Sequence, residues 1–230
     1  SPQTRRVFAR GAGLFQRSRV IDALRYLGRL KGLEAKAAER RAEEMLRRVD
    51  LADSARATLQ GLSRGMTQLI QFSGALLHQP DLIILDEPFS GLDPLNVELM
   101  KEIIREEQAR GASIIFSTHI MSDVEELCER VLLIDAGVTL LYGSLTELKR
   151  SRGTRTVKVA AGRRPDSVDG VMEPVSVNGH FEYRLVSGSE PQAILRSFLD
   201  AQIPVERFEV ALPTLNEIFI EEVRDARSRG

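Results

Sequence analysis

Four apolar residues, Leu82-Ile83-Ile84-Leu85, run directly into Asp86-Glu87-Pro88. An apolar run this short, ended by a polar turn and a proline, reads as a buried strand. The segments around it narrow the fold further. Residues 67–78, 96–110 and 122–128 carry helical patterns, and 113–117 reads as a second buried strand. Residues 131–134 and 138–142 read as two more strands, parted by the turn signal Asp135-Ala136-Gly137. Strands alternating with helices argue for an α/β layer with a largely parallel sheet.

Upstream, Val20, Ile21, Leu24, Leu27 and Leu30 recur at helical spacing. Residues 35–49 form a second amphipathic stretch rich in Ala, Glu and Arg, all good helix formers. Ser63 stands where it can cap the helix that follows. Downstream, 144–150 closes the layer and Ser151-Arg152-Gly153 reads as a linker. Strands at 154–160, 181–186 and 207–212 with helices at 192–200 and 214–223 then describe a small α+β domain. The expected organisation is therefore a first domain over 1–150, with a helical part at about 15–80 and a strand-bearing part at 81–150, then a second domain over 151–230.

Composition bounds the function. Hydrophobic residues make up 43% and charged residues 28% of the 230, as in soluble globular proteins. A formal net charge of -1 gives no global pull toward nucleic acid or anionic membrane. The single cysteine, Cys128, can form no internal disulfide; it shares a helical face with Val124 and Leu127 and reads as core. No apolar run approaches the ~20 residues of a spanning helix. Residues 1–13, SPQTRRVFARGAG, show neither a starting Met nor periodicity, so the chain reads as a fragment of a longer protein.

The chemistry gathers at strand ends. Asp86 and Glu87 stand at the C-terminal end of their strand, where ligands bind in open α/β sheets. In nucleotide hydrolases a strand-end Asp holds Mg²⁺, usually through water, and a following Glu can act as general base on the attacking water. Taken alone, the run is equally a strand with a polar turn. Ser90-Gly91-Leu92-Asp93 is by itself a commonplace turn. Ser117-Thr118-His119 ends the next strand and brings an imidazole to the same sheet edge, within reach of a phosphate or of the catalytic water and Glu. Leu62-Ser63-Arg64-Gly65-Met66 opens a helix, where free N–H groups favour an anion, although as a pentapeptide it is an ordinary cap. His78 and His180 have no motif around them and read as surface or packing residues.

Together and in this order, these pieces resemble the ATP-binding-cassette (ABC) ATPases over about residues 13–150. Residues 62–66 are similar to the family's signature motif, usually LSGGQ, with Arg64 and Met66 in place of Gly and Gln. Residues 82–86 resemble the Walker B strand, with Glu87 at the catalytic glutamate, 90–93 at the D-loop and His119 at the switch histidine. The tail resembles the C-terminal extension of a branch of ABC exporters that includes sodium-extrusion-type ATPases. That likeness rests on its position and on Pro213-Thr214-Leu215-Asn216-Glu217-Ile218-Phe219.

The resemblance implies a partial P-loop NTPase domain with a helical subdomain, and a Mg²⁺-ATP-hydrolysing subunit of a transporter, an exporter by its branch. It implies a head-to-tail dimer with a second ATPase subunit and a separate integral membrane permease, with no nucleic-acid partner. The location implied is the cytoplasmic face of the plasma membrane. Asp86 would serve the metal; Glu87 and His119 would serve hydrolysis. Leu62, Ser63, Arg64, Gly65, Met66 and Asp93 would serve the nucleotide, with Ser63 and Gly65 touching the γ-phosphate of ATP held by the partner. The 230 residues contain no G-x-x-x-x-G-K-[ST] loop, and 1–13 does not match the family's Q-loop; Gln3 is left unassigned. The chain by itself is therefore expected to bind ATP poorly and to hydrolyse little. A different reading is an ATP-incompetent interaction protein that keeps the signature face and a partner-binding arm. A soluble ABC ATPase of translation or DNA repair fits less well, because the interval from Met66 to Leu82 is short and the chain carries one cassette with a distinct tail.

Overall fold

The computed structural model describes residues 17–152, 156–165, 168, 175–177, 179–186 and 189–228. The chain's opening segment, with the Q-loop position, and Gly153 and Thr154 of the expected linker and strand lie outside the described residues. Two compact units divide the chain, Ser1–Ile120 and Met121–Gly230.

The first unit opens with a three-helix cluster. Helix α1 (Val20–Leu30) buries Val20, Ala23, Leu24 and Gly28, and α2 (Ala35–Arg48) buries Ala38, Ala42, Met45 and Leu46. Helix α3 (Arg64–Leu76) buries Leu69, Ile70 and the run Phe72 to Leu76. Buried positions at i, i+4, i+7 and i+8 of α2 give its apolar stripe despite the many Arg and Glu residues outside it. Leu30, expected on the α1 stripe, is 66% exposed, because the helix ends there. Small residues set the helix spacing. A Cβ on Gly28 would stand 3.1 Å from the Ala38 Cβ, and one on Gly74 would stand 2.9 Å from Leu27 Cδ1. Arg41 Nε donates to the Leu77 carbonyl at 3.3 Å and ties α2 to the end of α3.

Strands β1 (Leu82–Asp86) and β2 (Ser113–Ser117) pair in parallel, joined by α4 (Pro94–Ala109). Their register sets Asp86 opposite Ser117. The α4 face of Met100, Ile103 and Ile104 is buried, as are Ile83 and Leu85 of β1. Buried Glu107 is held by two guanidiniums, Arg110 at 2.8 Å and Arg48 at 3.7 Å, so its charge is not left uncompensated.

In the second unit, α5 (Met121–Leu127) precedes β3 (Arg130–Asp135) and β4 (Val138–Ser144), and α6 (Leu145–Ser151) follows them. Here a largely parallel sheet is not what forms. β3 and β4 make an antiparallel hairpin, and β1–β2 is the parallel pair among the described residues. The physical reason is the turn: Ala136 and Gly137 both have positive φ, 48° and 78°, the geometry of a two-residue hairpin loop. Leu141, Leu148 and Ile218 pack together behind this hairpin.

Beyond it, β5 (Thr156–Ala161), β6 (Val175–Val177), β7 (His180–Arg184) and β8 (Val205–Ala211) form an antiparallel sheet in the order β6-β7-β5-β8. Helix α7 (Pro191–Asp200) covers one face, where Val157, Val159, Tyr183, Ile194 and Phe198 are fully buried. Strand β6 was not expected from the sequence; three residues show too little alternation to be seen. Helix α8 (Leu215–Ser228) begins with a reciprocal cap. Thr214 N–H donates to Glu217 Oε2 at 2.7 Å, and Glu217 N–H donates to Thr214 Oγ1 at 3.2 Å. The Thr-x-x-Glu within the tail pattern is therefore a helix start. Cys128 is half-buried, and desolvation pushes its thiol up to about 11. No described helix is long and apolar enough to cross a membrane.

Candidate active site

Asp86, through its carboxylate, and Glu87, through its backbone N–H, both bond to Ser117 on the neighbouring strand. Its hydroxyl donates to Asp86 Oδ1 at 2.6 Å and accepts the Glu87 N–H at 3.2 Å, and its carbonyl accepts the same N–H at 3.1 Å. The parallel register places Ser117 there. Glu87 leaves the strand with φ of 46°, in the left-handed region that non-glycine residues rarely adopt. That bend turns its carboxylate to His119, whose Nδ1 lies 2.9 Å from Glu87 Oε1. An ionised carboxylate only accepts, so Nδ1 carries the proton, and Nε2 is left as an acceptor in the neutral ring or a donor in the imidazolium.

The start of α3 is built from the same kind of local bond. Ser63 Oγ accepts the Met66 N–H at 3.2 Å, and Thr67 Oγ1 donates to the Ser63 carbonyl at 2.9 Å. Gln68 reaches from the next turn to the Pro88 carbonyl at 2.6 Å, which joins the α3 start to the bend after Glu87. Arg64 lies over Gly91: a Cβ there would stand 3.4 Å from Arg64 Nε. Gly91 has φ of 78°, so glycine suits both the turn and the close approach. Gly65 faces Leu92, with a Cβ contact of 3.4 Å. Leu62, half-buried, ends a short turn just before the cap.

Asp86, Glu87 and His119 are thus brought to one sheet edge, and residues 64–65 to the turn at 91–92. Asp93 takes a different part. Its carboxylate accepts the Asn96 N–H at 3.0 Å and the Asn96 side-chain amide at 2.5 Å, capping α4. Those bonds, the backbone one foremost, hold its pKa below the usual carboxylate value. Ser117 and Gln68 are the contributors that motif reading missed. A polar residue ending β2 in register with Asp86 is the signal that marks Ser117.

The oxygen donors here suit magnesium, which keeps most of its waters and uses one or two carboxylates with substrate phosphates. The Asp86 carboxylate is a hard oxygen donor of that kind, and the Ser117 hydroxyl bonded to it orients it. Among the described residues no group of three ligating side chains forms a closed metal cage.

Residues 143–223 match the family described as ATP-binding protein DrrA1-3-like, C-terminal domain, and residues 18–122 match a family described as an AAA domain. The uncharacterized ABC transporter ATP-binding protein YhaQ of Bacillus subtilis is 38% identical over 214 residues, 92% of this chain and 72% of YhaQ.

The chain belongs to the ABC transporter ATP-binding protein family.

Another relative of this ABC protein is the daunorubicin resistance ATP-binding protein DrrA3 of Streptomyces coeruleorubidus. It is 30% identical over 213 residues, 89% of this chain and 67% of DrrA3. A solved structure, the ATP binding subunit of an ABC transporter, superposes with a TM-score of 0.59 at 30% identity, over 64% of this chain and 62% of that one. The expected family and fold class both hold, and the DrrA-like C-terminal match over 143–223 takes in most of the tail expected to be an exporter-type extension, including Pro213 to Phe219.

Replacing Ser117 by Ala removes the bond to Asp86 and one of the two acceptors for Glu87 N–H. If that bond matters to the chemical step, its loss is worth about ten- to a hundredfold in activity, as for a hydrogen bond to a charged group. The expected result is that fall in ATP turnover with a nearly unchanged melting temperature, measured side by side on the protein from its own gene.

Proposed function

We propose that this protein is the ATP-binding and ATP-hydrolysing subunit of an exporter, powering a separate membrane permease. The single observation that carries the reading is the Glu87–His119 pair beside the Asp86–Ser117 pair at the end of β1. Magnesium bound with the nucleotide would neutralise phosphate charge. Asp86 would hold it through water, oriented by Ser117. Glu87 would take a proton from the attacking water onto its carboxylate, with His119 fixing that carboxylate in place.

Residues 62–66 would face the γ-phosphate of a nucleotide held on a second ATPase subunit, paired head to tail. Ser63 and the amides of the α3 start would donate to it, and Arg64 would add positive charge. Asp93, by capping α4, would hold the turn at 90–93 in shape. In this reading the part before about residue 150 would serve the nucleotide and the part after it would act as an accessory domain. Export of a drug-like molecule is favoured by the name of the daunorubicin resistance relative. The work would be done at the cytoplasmic face of the membrane, by docking to the permease.

The test is ATP turnover by the protein expressed from its own gene, with and without its membrane partner in lipid. Turnover that requires Mg²⁺ and rises with the partner is expected. A protein that binds the partner yet never hydrolyses ATP contradicts the reading and supports an ATP-incompetent interaction protein instead.

A further inference from the structure

Strand β8 ends the sheet order β6-β7-β5-β8, so among the described residues its outer edge has no paired strand. Its sequence is Val205-Glu206-Arg207-Phe208-Glu209-Val210-Ala211. An unpaired edge seven residues long is a template for another strand. Arg207 and Glu209 lie on one face of it, bonded to each other at 2.5 Å, with side chains 74% and 43% exposed. On the other face Val210 is 43% exposed and Phe208 half-buried.

We infer that two copies of this chain pair through their β8 edges, antiparallel and in one register, to make a continuous sheet across the dimer. The charge pattern selects both occupant and register. Two identical antiparallel strands with matching faces can be centred on residue 206, 207, 208, 209 or 210. Centring on Glu206, Arg207 or Glu209 sets two like charges directly opposite each other, which is destabilising. Centring on Val210 leaves only a short overlap at the strand's end. Centring on Phe208 sets Arg207 opposite the second copy's Glu209, twice by symmetry, and brings the two phenyl rings together on the inner face. Opposite charges directly across a pair stabilise it, so this register alone matches the edge to itself. The charges also continue a row already present. Lys158 stands in register between Glu182 and Glu209 and is bonded to Glu182 at 3.3 Å. In the dimer that row runs Glu182, Lys158, Glu209 and then Arg207 of the second copy. Isologous pairing of this kind closes after two copies and does not propagate through the same edge.

The inference is independent of the ATPase reading, and its test leaves nucleotide out so that ATP-driven association cannot produce the signal. Molar mass is measured by light scattering over a concentration series for the full chain, for Arg207→Glu, and for the doubly exchanged Arg207→Glu/Glu209→Arg. The expected result is a dimer that weakens about tenfold or more in the single variant and returns in the double one, where opposite charges again face each other. A second measurement keeps the register falsifiable. In a Cys128→Ser background, Phe208→Cys is expected to form an intermolecular disulfide on mild oxidation, and Arg207→Cys to form far less. A monomer at all concentrations, or a dimer indifferent to the charge exchange, overturns the inference. An edge that pairs only once the membrane partner is added also overturns it.

Discussion

Replacing Glu87 by Gln in the protein expressed from its own gene is expected to lower ATP turnover by about 10²–10⁴-fold while ATP binding persists. Gln keeps the size of the side chain and can still meet His119, yet its amide cannot take a proton from water. The loss therefore falls on the chemical step, not on the site's construction. The bend at Glu87 sharpens the expectation. A non-glycine residue at φ of 46° carries a conformational cost of about 1–2 kcal/mol. Glu87→Gly should relieve that cost and lose activity together, giving a protein that melts higher and hydrolyses least. Turnover and melting temperature of Gln, Gly and wild-type proteins, measured in parallel, check both halves. A Gly variant that unfolds earlier than wild type would show that the bend is not strained.

The second large effect lies in the other unit. Phe198→Ala is expected to destabilise the fold by about 3–5 kcal/mol. Phe198 is fully buried, and its ring stands 6.0 Å from that of Tyr183 in an edge-to-face pair at 87°. It is also the main aromatic anchor of α7 on β5, beside Ile194, Val157 and Val159. Removing it leaves a cavity between α7 and the sheet it covers. Tyr183 already carries a buried hydroxyl with no hydrogen-bond partner among the described residues, so the site has no polar contact to fall back on. Denaturant unfolding of the full chain gives the value; a loss below about 1 kcal/mol would mean the cavity collapses and α7 repacks. Since whole domains are stable by only about 5–15 kcal/mol, the expected loss is a large share of the total.

The candidate edge at the end of β1 was legible because its residues are local in sequence and chemically distinctive. An apolar run ended by two carboxylates, and a second run ended by Ser-Thr-His, can be read without knowing which strands pair. Ser63 as a cap was legible for the same reason: the bond it makes spans three residues. Ser117 was not, because its part depends on the register of β1 against β2, set by packing 31 residues apart. Glu87's backbone bend was hidden as well, since glutamate carries no mark of a positive φ. The hairpin of β3 and β4 shows the opposite case. Its turn residues were seen, yet the α/β pattern around them favoured a parallel sheet, and the local turn geometry prevailed. The tail's Thr-x-x-Glu carries a family resemblance in the sequence, while its physical role as a helix cap needs the helix start that the structure supplies.

In the proposed mechanism Glu87 and His119 act as one unit, the imidazole holding the carboxylate that takes the proton. The direct measurement is a double-mutant cycle on single-turnover ATP hydrolysis, using Glu87→Gln, His119→Ala and the combined variant. Losing His119 alone should cost about ten- to a hundredfold, the worth of a hydrogen bond to a charged group. Once Gln replaces the base, His119 has no proton-accepting carboxylate left to position, so the combined variant should be no slower than Glu87→Gln by itself. If the two losses instead multiply, the residues act independently, and the 2.9 Å contact between them is not part of the mechanism.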